Sequence, residues 1–131
     1  MRKQNNKVTI DKITKKNKDT TAKIKKEYFV YIIECSNKSL YTGITTDINR
    51  RFNEHKNKKT GAKYTKAFKP EKIVAVFTTG KVVNARSVAT KLEYSIKCLA
   101  REYKLLLVNG DIDLKDICQD KKTFSKIKRV Y

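Results

Sequence analysis

Four polar side chains of this chain have types and spacings that suit work on a phosphate ester. Arg51 and His55 are four residues apart, so a helix would place them on one face. A guanidinium group that grips phosphate would then stand beside an imidazole that transfers protons. Tyr31 and Tyr41 lie on two predicted strands, and pairing of the strands could bring both phenols to one face. Two tyrosines on a small sheet are more often packing residues, so the phenols alone do not predict a function.

Glu93 is an acidic residue in an unusual position. It lies beside Leu92 and Ile96, near the apolar stripe of a predicted helix, where a solvated glutamate would not be placed by preference. A half-buried carboxylate usually has an ion-pair partner or holds a metal ion. Lys97, four residues later, could supply the ion pair. On position alone the ion pair is favoured over the metal.

The elements that must position these side chains follow from the alternation of apolar runs and turn residues. Their order predicts an α+β fold, a small three-stranded and mainly antiparallel sheet flanked by helices. The predicted elements are strands at 28–33 and 40–45, a helix over about 47–57 with Thr46 as N-cap, a strand at 72–78 closed by Gly80, a helix over about 84–101, a short helix at 103–108 stopped at Gly110, and a helical turn at 112–118.

Composition divides the 131 residues into three parts around one domain. Residues 1–26 hold ten basic and two acidic residues and no aromatic residue, which predicts a disordered basic arm. The arm either tethers the protein to nucleic acid or has no specific role, and the sequence favours neither. A folded domain is predicted over 27–110, with a C-terminal extension over 111–131.

Charge is the first indication of a partner. The chain has 32 Lys and Arg against 13 Asp and Glu, a formal net charge of +19. Such self-repulsion is usually offset by a polyanion, and nucleic acid is the commonest one. An anionic membrane surface is the rival partner, and a lysine-rich composition explains part of the surplus.

The cysteine and histidine content excludes other classes. Cys35, Cys98 and Cys118 form no Cys-x-x-Cys pair, which argues against a disulfide-stapled secreted domain. The single histidine, His55, gives no pair-spaced zinc site. There is neither an apolar run of membrane-spanning length nor a secretory signal. We therefore expect a soluble protein of the cytoplasm, associated with the nucleoid if it is bacterial, and no membrane partner.

Taken together, these residues resemble the GIY-YIG nuclease family, and in particular its small stand-alone bacterial members. Phe29–Tyr31 takes the place of the family's Gly-Ile-Tyr, and Tyr41–Gly43 takes the place of Tyr-Ile-Gly. The family's arginine, its histidine four residues later and its metal-binding glutamate fall on Arg51, His55 and Glu93. The first glycine is replaced by Phe29 and the second isoleucine by Thr42, and neither change removes a group that donates, accepts or ligates.

The resemblance implies a role for each of these residues. Tyr41 would be the general base, and Tyr31 would hydrogen-bond around the nucleophile. Arg51 would bind the phosphate, and His55 would take the proton from Tyr41 or orient it. Glu93 would be the metal ligand for Mg²⁺, with Mn²⁺ as a substitute. One carboxylate suffices for Mg²⁺ when water and phosphate complete the octahedron.

The segment 56–69 adds a predicted substrate contact. Its lysines, Lys63 and Lys66 among them, would grip a DNA backbone and supply positive charge near a phenol base, since a free phenol titrates near ~10. Tyr64 is interleaved with them and could stack on a splayed base. A solvated lysine loop is the simpler alternative. Asn109 is the position that corresponds, by a variable spacing, to a later family asparagine.

The sequence thus predicts a metal-dependent endonuclease that hydrolyses DNA phosphodiester bonds, selective for structure or strand, in DNA repair or processing. Recognition of a base sequence is not expected, because no helix is free to enter the major groove with a row of Asn, Gln and Arg. Two alternatives remain. One is a catalytically weak DNA- or RNA-binding module of the same fold, and the other is a basic RNA- or ribosome-associated protein.

Overall fold

A computed structural model describes residues 24–57, 69–117 and 121–131. Residues 1–23 of the arm predicted over 1–26, and residues 58–68 of the basic loop predicted over 58–70, lie outside the described residues. The elements are, in chain order, β1 (Lys26–Cys35), β2 (Leu40–Thr45), α1 (Ile48–Lys56), β3 (Pro70–Val82), α2 (Ala85–Lys97), α3 (Arg101–Asn109), α4 (Leu114–Ile117), α5 (Lys121–Phe124) and β4 (Lys128–Arg129).

The strands form one antiparallel sheet in the order β2-β1-β3-β4. The α+β prediction of an antiparallel sheet flanked by helices is confirmed, but the predicted count of three strands is wrong because β4 adds a fourth. This strand pairs Arg129 with Phe77 and Lys128 with Thr78. Its two residues are charged and exposed, so they carry none of the apolar alternation that marks a strand in a sequence.

Arg129 explains how so short a strand is held. Its guanidinium donates to the carbonyl oxygens of Leu107 at 2.8 Å and Val108 at 2.7 Å, near the end of α3. It also donates to the carbonyl oxygen of Val74 at 3.3 Å and lies 5.8 Å from the ring centre of Phe77. The C-terminal extension is therefore tied to the domain by a charged group on carbonyls, and not by apolar burial alone.

The two faces of the sheet carry different layers. One face packs against α2, α3 and α5, and its buried core is Val30, Ile32, Ala75, Phe77, Val88, Ala89, Leu92, Ile96, Leu107 and Phe124. The other face packs against α1 through Ile48 and Phe52, and we call it the tyrosine face because Tyr31 and Tyr41 lie on it. Phe29, at the family's glycine position, packs on this face as well.

Three predicted boundaries are corrected. The N-cap of α1 is Asp47 and not Thr46, since the Asp47 carboxylate accepts the Arg50 backbone N–H at 3.0 Å. β3 does not end at Gly80, because its pairing with β1 continues to Val82. The Thr78 hydroxyl accepts the backbone N–H of Gly80, and the Thr79 hydroxyl accepts that of Tyr28.

The helix predicted over about 84–101 is α2, which ends earlier, at Lys97, and the short helix predicted at 103–108 is α3, which begins at Arg101. Gly110, at φ 84, ends α3 as predicted. No helix within the described ranges is long and apolar enough to cross a membrane.

Candidate active site

Strand register brings the two predicted phenols to one face. Tyr31 on β1 is paired with Gly43 on β2, and Ile33 is paired with Tyr41. Paired residues of antiparallel strands point to the same side, so Tyr31 and Tyr41 are diagonal neighbours on the tyrosine face. Their ring centres are 6.3 Å apart. Gly43 has no side chain, and the phenol of Tyr31 lies over it.

His55 completes an aromatic cluster with the two phenols. It lies near the end of α1 and is fully buried, with 0% of its surface exposed. Its Nε2 is 2.8 Å from the hydroxyl oxygen of Tyr31. The ring of Tyr41 meets the imidazole edge to face, with 5.1 Å between ring centres. One helix face therefore delivers the imidazole to both tyrosines.

Arg51 lies one turn before His55 on α1 and is partly buried. Its Nη1 donates to Oε1 of Glu54 at 2.9 Å. The guanidinium is also near enough to the Tyr31 hydroxyl to act on the pKa of that phenol. Burial acts to lower the pKa of Arg51, but the bond to Glu54 and the nearby Tyr31 phenol outweigh it and raise the pKa. Arg51 therefore keeps its positive charge beside the phenol.

Burial sets the protonation of the Tyr31–His55 pair. It raises the pKa of Tyr31 to about 12, although the nearby Arg51 guanidinium opposes the rise. It also lowers the pKa of His55 to about 4, and the charge of Arg51 lowers that pKa further while Glu54 opposes. Both side chains are neutral near pH 7. Because the neighbouring Arg51 guanidinium can only donate, whereas the neutral phenol can donate to the imidazole, we assign the Tyr31 hydroxyl as donor to Nε2 and the imidazole proton to Nδ1.

Glu93 belongs to the helix layer on the other side of the sheet from this cluster. It lies on α2, which contacts β2 as well as β1. Its carboxylate forms an ion pair with Lys97, with 3.1 Å between Oε2 and Nζ. This is the ion pair that the position of Glu93 on the helix favoured. Its charge is near enough to Tyr31 to raise the pKa of the phenol. The charge of Glu93 therefore acts on Tyr31, although α2 packs on the face of the sheet opposite α1.

Few protein ligands are available for a metal at this site. Within the described residues, no group of three or more His, Cys, Asp and Glu side chains is arranged to hold an ion. The Glu93 side chain is 20% exposed, so its carboxylate is open to solvent ions. A single accessible carboxylate suits Mg²⁺, which keeps several waters and takes oxygens from substrate phosphates. It does not suit structural zinc, which requires four protein ligands.

The remaining predicted residues do not join this cluster among the described positions. Lys63, Tyr64 and Lys66 lie outside the described residues. Asn109 is exposed at the last position of α3. Arg129 ties that end of α3 to β3 and β4, whereas the tyrosines lie on β1 and β2. Asn109 therefore lies at the end of α3, on the side of the fold where Arg129 joins β3 and β4.

One side chain at the site was not considered in the sequence analysis. Glu54 contacts Arg51 and also lies 3.8 Å from Nε of Arg50. The spacing of three and four residues from two arginines on one helix was a usable signal, since such pairs face each other on a helix surface. It was overlooked because helix-surface ion pairs are common and seldom functional.

Comparisons with known proteins agree with these observations. A sequence model of the GIY-YIG catalytic domain matches residues 27–110. A UPF0213 protein of Vibrio cholerae is 41% identical over 92 residues, which cover 70% of this chain and 87% of the relative. A UPF0213 protein of Staphylococcus aureus is 43% identical over 81 residues, covering 62% of this chain and 93% of the relative.

A solved structure is also similar. The solution NMR structure of a UPF0213 protein from Bacillus halodurans has 35% sequence identity and a TM-score of 0.40. That match covers 72% of this chain and 95% of the other.

Proposed function

The chain belongs to the GIY-YIG family, and we propose that it is a Mg²⁺-dependent endonuclease that hydrolyses phosphodiester bonds of DNA. Family membership gives the coarse function, that of a nuclease. The observation that carries the proposal is the hydrogen bond between Tyr31 and His55, with the ring of Tyr41 packed on the imidazole. The charges of Arg51 and Glu93 both act on the Tyr31 phenol.

Arg51 is the group that would bind the phosphate. Attack on a phosphodiester places additional negative charge on the oxygens of the phosphorus, and fixed cationic donors stabilise that charge. The guanidinium has five N–H donors. Glu54 and Tyr31 take up part of this set. These two partners would hold the arginine in place before the substrate arrives. The remaining donors lie in the same plane and would bind the phosphate.

The two phenols would have different tasks. Tyr31 stays protonated because its pKa is raised to about 12, so it acts as a hydrogen-bond donor and not as a base. His55 stays neutral and accepts that hydrogen bond, which fixes the Tyr31 ring. Tyr41 is then the candidate base for the attacking water. It lies diagonally from Tyr31 on the same face and contacts the imidazole edge to face.

Glu93 would hold the metal ion. Bound Mg²⁺ supplies a positive charge for the phosphoryl oxygens and for the departing oxygen. The contribution of the chain is an accessible carboxylate whose charge acts on Tyr31. A single carboxylate favours one metal ion over two.

The charge of the protein supports a nucleic-acid substrate. A net charge of +19 favours binding to a phosphate backbone through release of counterions. We propose DNA with a branched or single-stranded character, cut during repair or processing at the nucleoid in the cytoplasm. Selection by shape fits a site built on strands and short helices.

The test is a cleavage assay with a panel of substrates. Labelled linear, nicked, flap, junction and single-stranded DNA, and RNA of the same sequences, are incubated with Mg²⁺, Mn²⁺ or EDTA at one fixed salt concentration. We expect cleavage of DNA with either metal and none with EDTA. Folded protein that binds these substrates but cuts none of them would instead be a binding module, and preferential cutting of RNA would overturn the choice of DNA.

A further inference from the structure

Glu54 is an acidic side chain at the point where a phosphate is expected to bind. Its Oε1 lies 2.9 Å from Nη1 of Arg51, and its Oε2 lies 3.8 Å from Nε of Arg50. The side chain is 33% exposed, so the carboxylate borders solvent where substrate would approach. A carboxylate there repels a phosphodiester and neutralises the cation meant to bind it. A helix in a nucleic-acid-binding site would grip phosphate more strongly without it.

The weaker phosphate binding that Glu54 causes would be offset by the orientation that Glu54 gives to Arg51. An arginine side chain has many rotamers, and its planar guanidinium acts on phosphate only in a defined orientation. Arg51 is hydrogen-bonded to Glu54 on one side and acts on the Tyr31 hydroxyl on another. Tyr31 in turn bonds His55 at 2.8 Å. Glu54 is thus the first member of a connected chain of four side chains.

We propose that Glu54 is a positioning residue that holds the Arg51 guanidinium against Tyr31 and directs its remaining donors at the scissile phosphate. The inference rests on the proposed nuclease function. It assigns Glu54 no contact with the substrate and no proton transfer. The carboxylate weakens substrate binding and speeds the chemical step, because an oriented arginine stabilises the transition state better than a mobile one.

This role predicts two kinetic effects of opposite sign in Glu54→Ala. We expect kcat to fall by at least about tenfold, since Arg51 loses its fixed orientation. We expect KM to fall by about two- to threefold, because a negative charge beside the phosphate is removed. Glu54→Gln keeps an oxygen that accepts from Arg51, so its kcat should stay within about threefold of the wild type. A merely structural role would not lower KM.

A matched control distinguishes the effect of the position of Glu54 from the effect of removing one negative charge. Glu102 is exposed on α3, and Glu102→Ala changes the net charge of the protein by the same amount. We expect kcat and KM of this variant to stay close to those of the wild type. Circular dichroism and urea unfolding verify that each variant is folded. If Glu54→Ala does not fold, Glu54→Gln still tests the role of Glu54.

A measurement on the free protein tests the same point without cleavage. The Arg51 Nη–H signals, assigned by their loss in Arg51→Lys, should be resolved in ¹⁵N spectra of the wild type and of Glu54→Gln, because the group is held. In Glu54→Ala the Arg51 Nη–H signals should average, because the guanidinium is no longer held. Unchanged Arg51 signals, or an unchanged kcat, in Glu54→Ala would overturn the proposal. A wild type that cuts no nucleic acid would overturn the proposed function, while the Arg51 signals would still decide whether Glu54 holds the arginine.

Discussion

Tyr31 and Gly43 face each other across β1 and β2 at a distance that leaves no room for a side chain. A Cβ atom at position 43 would lie 2.5 Å from the hydroxyl oxygen of Tyr31 and 2.7 Å from its Cζ. Tyr31 is only 3% exposed and is bonded to His55, so it cannot move aside without losing that bond. The glycine of the second motif is therefore required by the tyrosine of the first, and not by backbone conformation, since its φ is not positive.

Gly43→Ala should displace the Tyr31 phenol. The methyl group would overlap the hydroxyl, and the hydrogen bond to His55 would break or lengthen. We expect a loss of unfolding free energy of about 1–3 kcal/mol from the overpacking. Cleavage should fall as well, because His55 bonds this phenol and Arg51 acts on it. Urea unfolding and the cleavage assay measure the two effects.

A double mutant tests the cause of this loss. In a Tyr31→Ala background the obstructing ring is absent, so Gly43→Ala should cost little further stability. The coupling energy between the two substitutions should then be about 1 kcal/mol or more. An equal cost of Gly43→Ala in both backgrounds would mean that the glycine is needed for another reason.

Sequence reasoning predicted the elements wherever apolar burial determines them. The strands around Val30 and Val76 and the helix stripe of Val88, Leu92 and Ile96 are buried as their periodicity indicated. β4 could not be predicted in this way. It is held by Arg129 on carbonyl oxygens from two other elements, and those bonds exist only after the chain has folded.

The candidate site was predictable for a different reason. Strand pairing and helix periodicity are local, so Tyr31 with Tyr41, and Arg51 with His55, could be grouped by spacing. The approach of Glu93 could not be derived from spacing, because α2 packs on the face opposite α1. Its assignment depended on resemblance to a family. Neither route found the contact of Glu54 with Arg51.

Glu93→Ala should abolish metal-dependent cleavage and leave DNA binding intact. The substitution removes the proposed metal ligand, and loss of its charge stabilisation should slow cleavage by about 100-fold or more. Glu34→Ala is a closely matched control, since Glu34 is 19% exposed against 20% for Glu93 and is also paired with a lysine. Cleavage rates and binding titrations at one salt concentration compare the two variants. Cleavage that survives in Glu93→Ala would refute the metal assignment.

Lys97→Met should strengthen metal binding. The Lys97 ammonium lies 3.1 Å from the Glu93 carboxylate and competes with any cation that binds there. A partly exposed helix ion pair is worth only up to about 1 kcal/mol, so we expect the affinity for Mn²⁺ to rise by about two- to fivefold. Water-proton relaxation enhancement reports Mn²⁺ binding directly, without any cleavage. Lys72→Met breaks the pair with Glu34 and should leave the affinity unchanged.

His55 should make the protein less stable as the pH falls below neutrality. Burial lowers the pKa of His55 to about 4, whereas an unfolded histidine titrates near 6.5. Between these values the unfolded chain binds a proton that the folded protein excludes, so stability falls as the pH falls from 6.5 to 4. A difference of this size corresponds to at most about 3 kcal/mol.

Because His55 is the sole histidine of the chain, its contribution can be isolated. Urea unfolding at several pH values between 7 and 4 should show a steeper decline for the wild type than for His55→Gln, whose remaining decline comes from the carboxylates alone. The imidazole signals in NMR spectra should show no titration near pH 6.5 in the folded protein. A folded-state midpoint near 6.5, or parallel stability curves for the two proteins, would mean that the imidazole is not held neutral against Tyr31.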